Sequence, residues 1–282
     1  MVSFSKILFP VDFSKRCEGA AHAVRAMALQ FQAQVTALHV VEATSANSAY
    51  ESLVARAREK MDKLATEELP SCKVVSYFER GDPAQVILSY ARNGRFDLIM
   101  MPTHGYGPFR RYLLGSVTAK ILHDASCPVW TSAHLETWPA TESMGIRKVL
   151  GAVDFGPRSS AVLQLASQVA GKFHASLTAA HVIPISSPLM EGYWIQDWRT
   201  EARKAASKEL QKQLAGLSSP TQMEVATEVL EGWPPAALSD AAERLNADLM
   251  VIGRTHAVES AGQLGGSAYA IIARSPCPVL SI

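Results

Sequence analysis

Glycines, a histidine, two arginines and a helix-heading serine stand close together in residues 97–118, and their spacing suits the capture of an anion. Asp97 leads into a short apolar run, Leu98-Ile99-Met100-Met101, of the length of a buried strand, which stops at Pro102. Thr103-His104-Gly105 follow, then Arg110 and Arg111, then Gly115-Ser116-Val117-Thr118, where a helix is expected to begin. A strand that opens into a glycine-containing loop and a Ser-headed helix presents bare main-chain N–H groups and the positive end of the helix dipole. The arrangement recurs. After Asp248 comes a second apolar run, then Gly253, Thr255-His256 and Gly266-Ser267. Pro102 lies thirteen residues before Gly115, and Gly253 lies thirteen before Gly266. Agreement of this kind across a loop predicts a repeat of the whole chain.

The elements that must position these residues follow the same rhythm. Strands are expected at Lys6–Val11, Gln34–Val41, Cys72–Phe78, Leu98–Met101 and Pro128–Ser132. Between them run amphipathic helices. The first is capped by Ser14 and buries Val24, Met27, Ala28 and Phe31. The second turns Leu53, Val54, Ala57, Met61 and Leu64 inward and is closed by Pro70. The third follows the Gly81-Asp82-Pro83 turn with Val86, Ile87 and Tyr90, and the fourth ends at His123. Strands apolar on both faces that alternate with helices imply a parallel sheet covered on both sides, with ligands beyond the C-terminal strand ends at the topological switch point. Residues 133–145 carry no periodicity and read as a linker. Lys148–Phe155 then echoes Lys6–Phe13, Ser176–Ile183 echoes the second strand with His181 for His39, Gly232-Trp233-Pro234 echoes the turn, and Cys277-Pro278-Val279 echoes Cys127-Pro128-Val129. Residues 185–200, with Tyr193, Trp194 and Trp198, form an insertion in the second copy, read as a folded flap or a partner-binding segment. The domains expected are 1–135 and 146–282, joined by a linker over 136–145.

The totals exclude several classes. A chain of 282 residues with net charge +1, from 27 basic and 26 acidic residues, offers neither a nucleic-acid surface nor an acidic tail. No apolar run approaches the roughly 20 residues of a membrane span. Pro10 and Asp12 interrupt the N-terminal apolar run, against a signal peptide, so a cytoplasmic location is expected. Cys17, Cys72, Cys127 and Cys277 lack metal-ligand spacing and are expected to be reduced and mostly buried.

Pro10-Val11-Asp12-Phe13-Ser14 after the first strand, Leu38-His39-Val40-Val41 ending the second, the Gly-x-Pro turn and Cys-Pro-Val opening the last occur in this order in both halves. The chain thereby resembles a tandem universal stress protein. The resemblance implies two doubly wound five-stranded parallel sheets of the adenine nucleotide alpha hydrolase-like kind, packed as an intramolecular pseudo-dimer in which Val129-Trp130-Thr131 lies beside Val279-Leu280-Ser281. It also implies an adenine nucleotide, ATP, possibly with Mg²⁺, as ligand. Residues carried over for the first copy are Asp12 and Val40 at the adenosine and Gly105, Gly115 and Ser116 at the phosphates, with Pro10, Val11, Met101, Val117 and Thr118 as further nucleotide-binding residues. A second, weaker site comprises Asp154, Val182, Gly253, Gly266 and Ser267.

Each copy departs from the family's glycine pattern. Pro102 has no N–H and forbids positive φ where ATP-binding members carry glycine. In copy 2, His256 replaces the glycine matching Gly105, Glu259 replaces an arginine region, and Tyr269 stands for Thr118. Copy 1 is therefore favoured as the nucleotide site. Simpler roles stay open beside these: Gly-Ser as a helix cap, Asp12 and Asp154 as turn-closers, Arg110 and Arg111 as solvated charges, and His39, His104, His181 and His256 as hydrogen-bonders in preference to metal ligands. No catalytic or metal residue is assigned. The leading expectation is a stress-response regulator that binds ATP and signals to an unidentified protein partner, with homodimerisation open. The alternatives are a nucleotide-independent dimerising interaction module and, less favoured, a slow ATPase with His104 as base.

Overall fold

In the computed structural model of the chain, the structure describes residues 4–42, 47–104, 114–132, 145–185, 193–217, 225–254 and 266–282. They form two compact units, one of the described residues between 4 and 132 and one of those between 145 and 282. The first unit contains β1 (Lys6–Pro10), α1 (Lys15–Phe31), β2 (Gln34–Glu42), α2 (Asn47–Glu67), β3 (Lys73–Gly81), α3 (Pro83–Asn93), β4 (Leu98–Pro102), α4 (Ser116–Asp124) and β5 (Val129–Ser132). Its strands run parallel in the order β3-β2-β1-β4-β5. The second contains β6 (Lys148–Val153), α5 (Ser159–Phe173), β7 (Ser176–Ile183), α6 (Tyr193–Ala215), β8 (Val225–Glu231), α7 (Pro234–Leu245), β9 (Leu249–Ile252), α8 (Gly266–Arg274) and β10 (Val279–Ser281), again parallel, in the order β8-β7-β6-β9-β10. Each unit is the doubly wound five-stranded sheet expected.

The local reasons lie in the sequence. Ile7, Leu8 and Phe9 are consecutive and all fully buried, as are Leu98, Ile99 and Met100, because helices cover both faces of these central strands. Ser14 caps α1 by accepting from the Cys17 N–H at 3.2 Å, and Asp82 caps α3 by accepting from the Gln85 N–H at 2.8 Å with Pro83 in the first turn. Strand order reverses between β1 and β4 in the first unit and between β6 and β9 in the second. These are the switch points at which doubly wound sheets open a crevice.

The structure corrects some expected details. Leu53, expected inward on α2, is exposed, while Ala57, Met61 and Leu64 are buried. β3 continues to Gly81, and β4 includes Pro102. Half of the second-copy insertion is the start of α6, which begins at Tyr193 and carries an exposed Trp198.

Asp97 and Asp248 are structural staples that the sequence reading did not single out. Asp97 Oδ2 accepts from the Ser5 N–H (2.8 Å), the Ser5 hydroxyl (2.7 Å) and the Lys6 N–H (2.9 Å), fixing β1 to the start of β4. Asp248 Oδ2 does the same for Arg147 (2.8 Å) and Lys148 (2.9 Å) ahead of β6. Asp97→Ala is expected to lower stability by about 1–3 kcal/mol, the usual range for orphaned charge-assisted hydrogen bonds. A shift of the urea midpoint at constant slope would register it; an unchanged midpoint contradicts it.

Candidate functional site

β1 ends at Pro10, and the chain turns through Val11-Asp12-Phe13 into α1. Phe13 sits at φ 60°, a left-handed conformation that a side chain disfavours by roughly 1–2 kcal/mol. Three contacts hold it there. Asp12 Oδ1 accepts from the Ser14 N–H (2.9 Å) and the Ser14 hydroxyl (2.7 Å). His39 of β2 donates Nδ1–H to the Val11 carbonyl at 2.7 Å. The Phe13 ring lies 4.7 Å from the His39 ring. Strain held in this way at a strand end marks a constructed corner. Its product is a half-buried Asp12 whose Oδ2 has no partner among the described residues.

Across the switch point, β4 delivers the start of α4. The Gly115 N–H donates to the Thr103 carbonyl (2.9 Å), and the Thr118 hydroxyl donates to the Pro102 carbonyl (3.2 Å). Gly115 is the N-cap of α4 and, lacking a side chain, gives the helix no side-chain cap. The first-turn N–H groups and the dipole are thus left for a ligand. A Cβ on Gly115 would lie 3.3 Å from the Thr103 carbonyl oxygen, so a side chain at that position would press the strand end and helix start a few tenths of an ångström apart. Continuing the β1–β2 and β1–β4 registers (Pro10 with Leu38, Leu8 with Ile99) brings Val40, Asp12 and Thr103 to neighbouring strand ends, with strands about 4.8 Å apart.

The remaining assigned residues divide by what they expose. Pro10 and Val40 are half-buried and Ser116 is exposed, so all three have surface to offer; Val117 is half-buried on the same turn. Val11 and Met101 are buried, and the Val11 N–H already donates to the Leu38 carbonyl at 2.8 Å. Thr118 is 3% exposed, with its hydroxyl proton committed to Pro102, and so positions the helix. Gly105, Arg110 and Arg111 lie outside the described residues, as do His256 and Glu259.

The second unit repeats the corner. Asp154 Oδ1 accepts from the Gly156 N–H (2.8 Å) and the Ser159 hydroxyl (3.2 Å), Phe155 sits at φ 62° and stacks on His181 at 3.9 Å, and His181 donates Nδ1–H to the Val153 carbonyl (2.9 Å). Val182 is buried, Gly266 begins α8, Ser267 is exposed and Tyr269 is half-buried.

Gly253 corrects one expectation about Pro102. Gly253 is not in the left-handed region, so the matching position does not require glycine's conformation. What Pro102 removes is a donor. The Thr103 N–H points to Ser132 of β5, at 3.1 Å, and successive strand N–H groups alternate, so an N–H at position 102 would point toward β1 and the crevice. A residue that the sequence reading missed is Arg254, only 4% exposed where the first unit has Thr103, its N–H donating to the Ile282 carbonyl at 2.7 Å. The only signal for it was a charged residue two positions after a buried strand.

Comparison with known proteins agrees with this architecture. The sequence matches the universal stress protein family over residues 3–132 and again over 145–282. A universal stress protein of Methanocaldococcus jannaschii is 32% identical over 139 residues, covering 45% of this chain and 80% of that protein. Universal stress protein A homolog 1 of Coxiella burnetii is 30% identical over 141 residues, covering 49% of this chain and 97% of that protein. The crystal structure of a universal stress protein from Archaeoglobus fulgidus superposes with a TM-score of 0.74 at 24% identity, over 99% of this chain and 98% of that one, which shows a shared fold. The chain belongs to the universal stress protein family and carries the family's pattern twice.

Proposed function

We propose that this protein is a stress-response regulator that binds an adenine nucleotide, ATP, at the switch point of its first unit. The observation that carries the reading is the pairing of two unsatisfied, oppositely suited groups across β1 and β4. Asp12 Oδ2 is an acceptor with no partner among the described residues, and the uncapped start of α4 is a set of donors. A carboxylate suits the hydroxyls of a ribose, and bare helix N–H groups suit phosphate oxygens. Half-buried Pro10, at the end of Asp12's own strand, and Val40, on the neighbouring end of β2, offer apolar surface beside Asp12. Mg²⁺ accompanying the phosphates would neutralise charge that the missing donor at Pro102 leaves uncompensated.

Isothermal titration with Mg-ATP tests the reading. Wild type is expected to bind, and Gly115→Arg to abolish binding, because its side chain would crowd Thr103 and fill the space over the helix start. No heat with wild type, or equal heat with the variant, removes the proposal. The nucleotide-independent interaction module would then stand in its place, as the lost donor at Pro102 favours.

A further inference from the structure

The edge of the first sheet differs from the edge of the second in a way that the nucleotide reading does not use. β3 has β2 on one flank and no strand on the other among the described residues. It is nine residues long, and five of them in a row, Val74-Val75-Ser76-Tyr77-Phe78, carry no charge. Long uncharged edges are templates for further strand pairing, and proteins usually break them with a central charge. β8, the corresponding edge of the second unit, is broken in this manner. Glu228 sits at its centre, ion-paired with Arg244 of α7. By register, Phe78 faces His39 and Val229 faces His181, so Tyr77 occupies in β3 the place that Glu228 holds in β8. Tyr77 is 43% exposed, supported from beneath by the Tyr90 ring of α3 at 5.5 Å.

Lys73 and Glu79 flank this uncharged run on either side and are self-complementary, while Arg80 lies one residue beyond Glu79. An antiparallel strand centred on Ser76 places Lys73 opposite Glu79, Val74 opposite Phe78 and Val75 opposite Tyr77. Opposite residues in such a pair share a face of the sheet. Tyr77, against Tyr90 of α3, and Phe78, under Arg58 of α2 at 5.4 Å, confirm that the strand alternates between its two helix-covered faces. An antiparallel self-pairing of β8 about its own central residue would set Glu228 against Glu228, a like-charge clash.

We propose that β3 is a self-docking edge: two copies of the chain pair their β3 strands antiparallel about an axis through Ser76, with Lys73 of each copy against Glu79 of the other. The contact is small, so association is weak and concentration-dependent.

Sedimentation of the full chain over micromolar to millimolar concentrations tests it, with a thermal melt of each variant to confirm folding. Wild type is expected to dimerise reversibly. Lys73→Glu and Glu79→Lys are each expected to weaken the dimer about tenfold, because each turns two favourable cross-strand pairs into repulsive ones. Mixing the two single variants is expected to restore pairing as a heterodimer, and the double variant K73E/E79K to dimerise like wild type. Tyr77→Glu, which copies the guard of β8, is expected to give single chains. A wild type that stays single throughout overturns the proposal. So does a dimer that ignores these substitutions, or single variants that weaken pairing and do not rescue each other when mixed.

Discussion

Asp12→Ala is expected to weaken ATP binding by roughly ten- to a hundredfold and to destabilise the fold by about 1–2 kcal/mol, the ranges for a lost charge-assisted hydrogen bond and a lost turn contact. The two effects come from different oxygens. Oδ1 holds Ser14 at 2.9 and 2.7 Å and so fixes the φ 60° corner at Phe13; Oδ2 has no partner among the described residues. Asp12→Asn separates them. Its amide oxygen can still accept from Ser14, while the other position becomes a donor that mismatches a ribose hydroxyl. Stability near wild type with binding still weakened is therefore expected. Asp154→Ala supplies the complementary control. Asp154 holds Gly156 and Ser159 in the second unit's corner, so its loss is expected to lower stability and leave nucleotide affinity unchanged. Titration calorimetry and urea unfolding on the same preparations read both quantities. Equal losses of affinity from Asp12→Ala and Asp154→Ala would contradict the assignment of binding mainly to the first unit.

Alkaline pH is expected to unfold the protein through two buried thiols. Burial, reinforced by the negative charge of Asp12, pushes the Cys17 thiol from 9.0 up to about 12. Burial likewise pushes Cys277 up to about 11, against the opposing hydrogen bond from Ser275. A folded-state pKa above the unfolded one means that the native chain holds its proton longer. The contribution is therefore complete below the unfolded thiol value of about 9 and is lost as pH rises toward the folded values. Each thiol contributes a slope of ~1.4 kcal/mol per pH unit in that window, about 4 kcal/mol for Cys17 by about pH 12 if unfolding does not intervene first. Urea midpoints collected between about pH 7 and pH 11 should fall steeply above 9, and Cys17→Ala should flatten that fall whatever it does to stability at neutral pH. Parallel curves for wild type and variant would refute the thiol's role. The same burial leaves Cys17 closed to alkylating reagents in the native protein, whereas Cys72 and Cys127 are only half-buried.

The doubled sheet was legible because its signals are local and redundant. Buried runs such as Leu98 to Met101, caps such as Ser14 and Asp82, and the echo of Asp12-Phe13 in Asp154-Phe155 each carry their meaning within a few residues. The site was legible only as a set of positions. The family resemblance named Val11, Thr118 and Asp12 together, but folding sorts them: Val11 is spent within the sheet, Thr118 ties α4 to Pro102, and Asp12 keeps one carboxylate oxygen without a partner among the described residues. That sorting depends on which way each group points at a strand end, and periodicity does not record it. The same applies to Pro102: a lost donor and a conformational penalty were both expected, and the fold adds that the lost donor is on the β1 side and that the matching Gly253 needs no special conformation. Leu53 had the right spacing to be buried, yet near the start of α2 it remains exposed. Asp97 and Asp248 were passed over because a carboxylate before a strand has no pattern of its own; only the three-dimensional approach of Ser5 and Lys6, or of Arg147 and Lys148, gives it a role.

A crystal of the full chain grown with excess Mg-ATP tests the central claim most directly. The account predicts nucleotide density in the first unit, with the ribose on Asp12 Oδ2 and phosphate on the N–H groups of Ser116 to Thr118. An empty crevice between β1 and β4, or nucleotide held only beside Asp154 and Arg254, would contradict it.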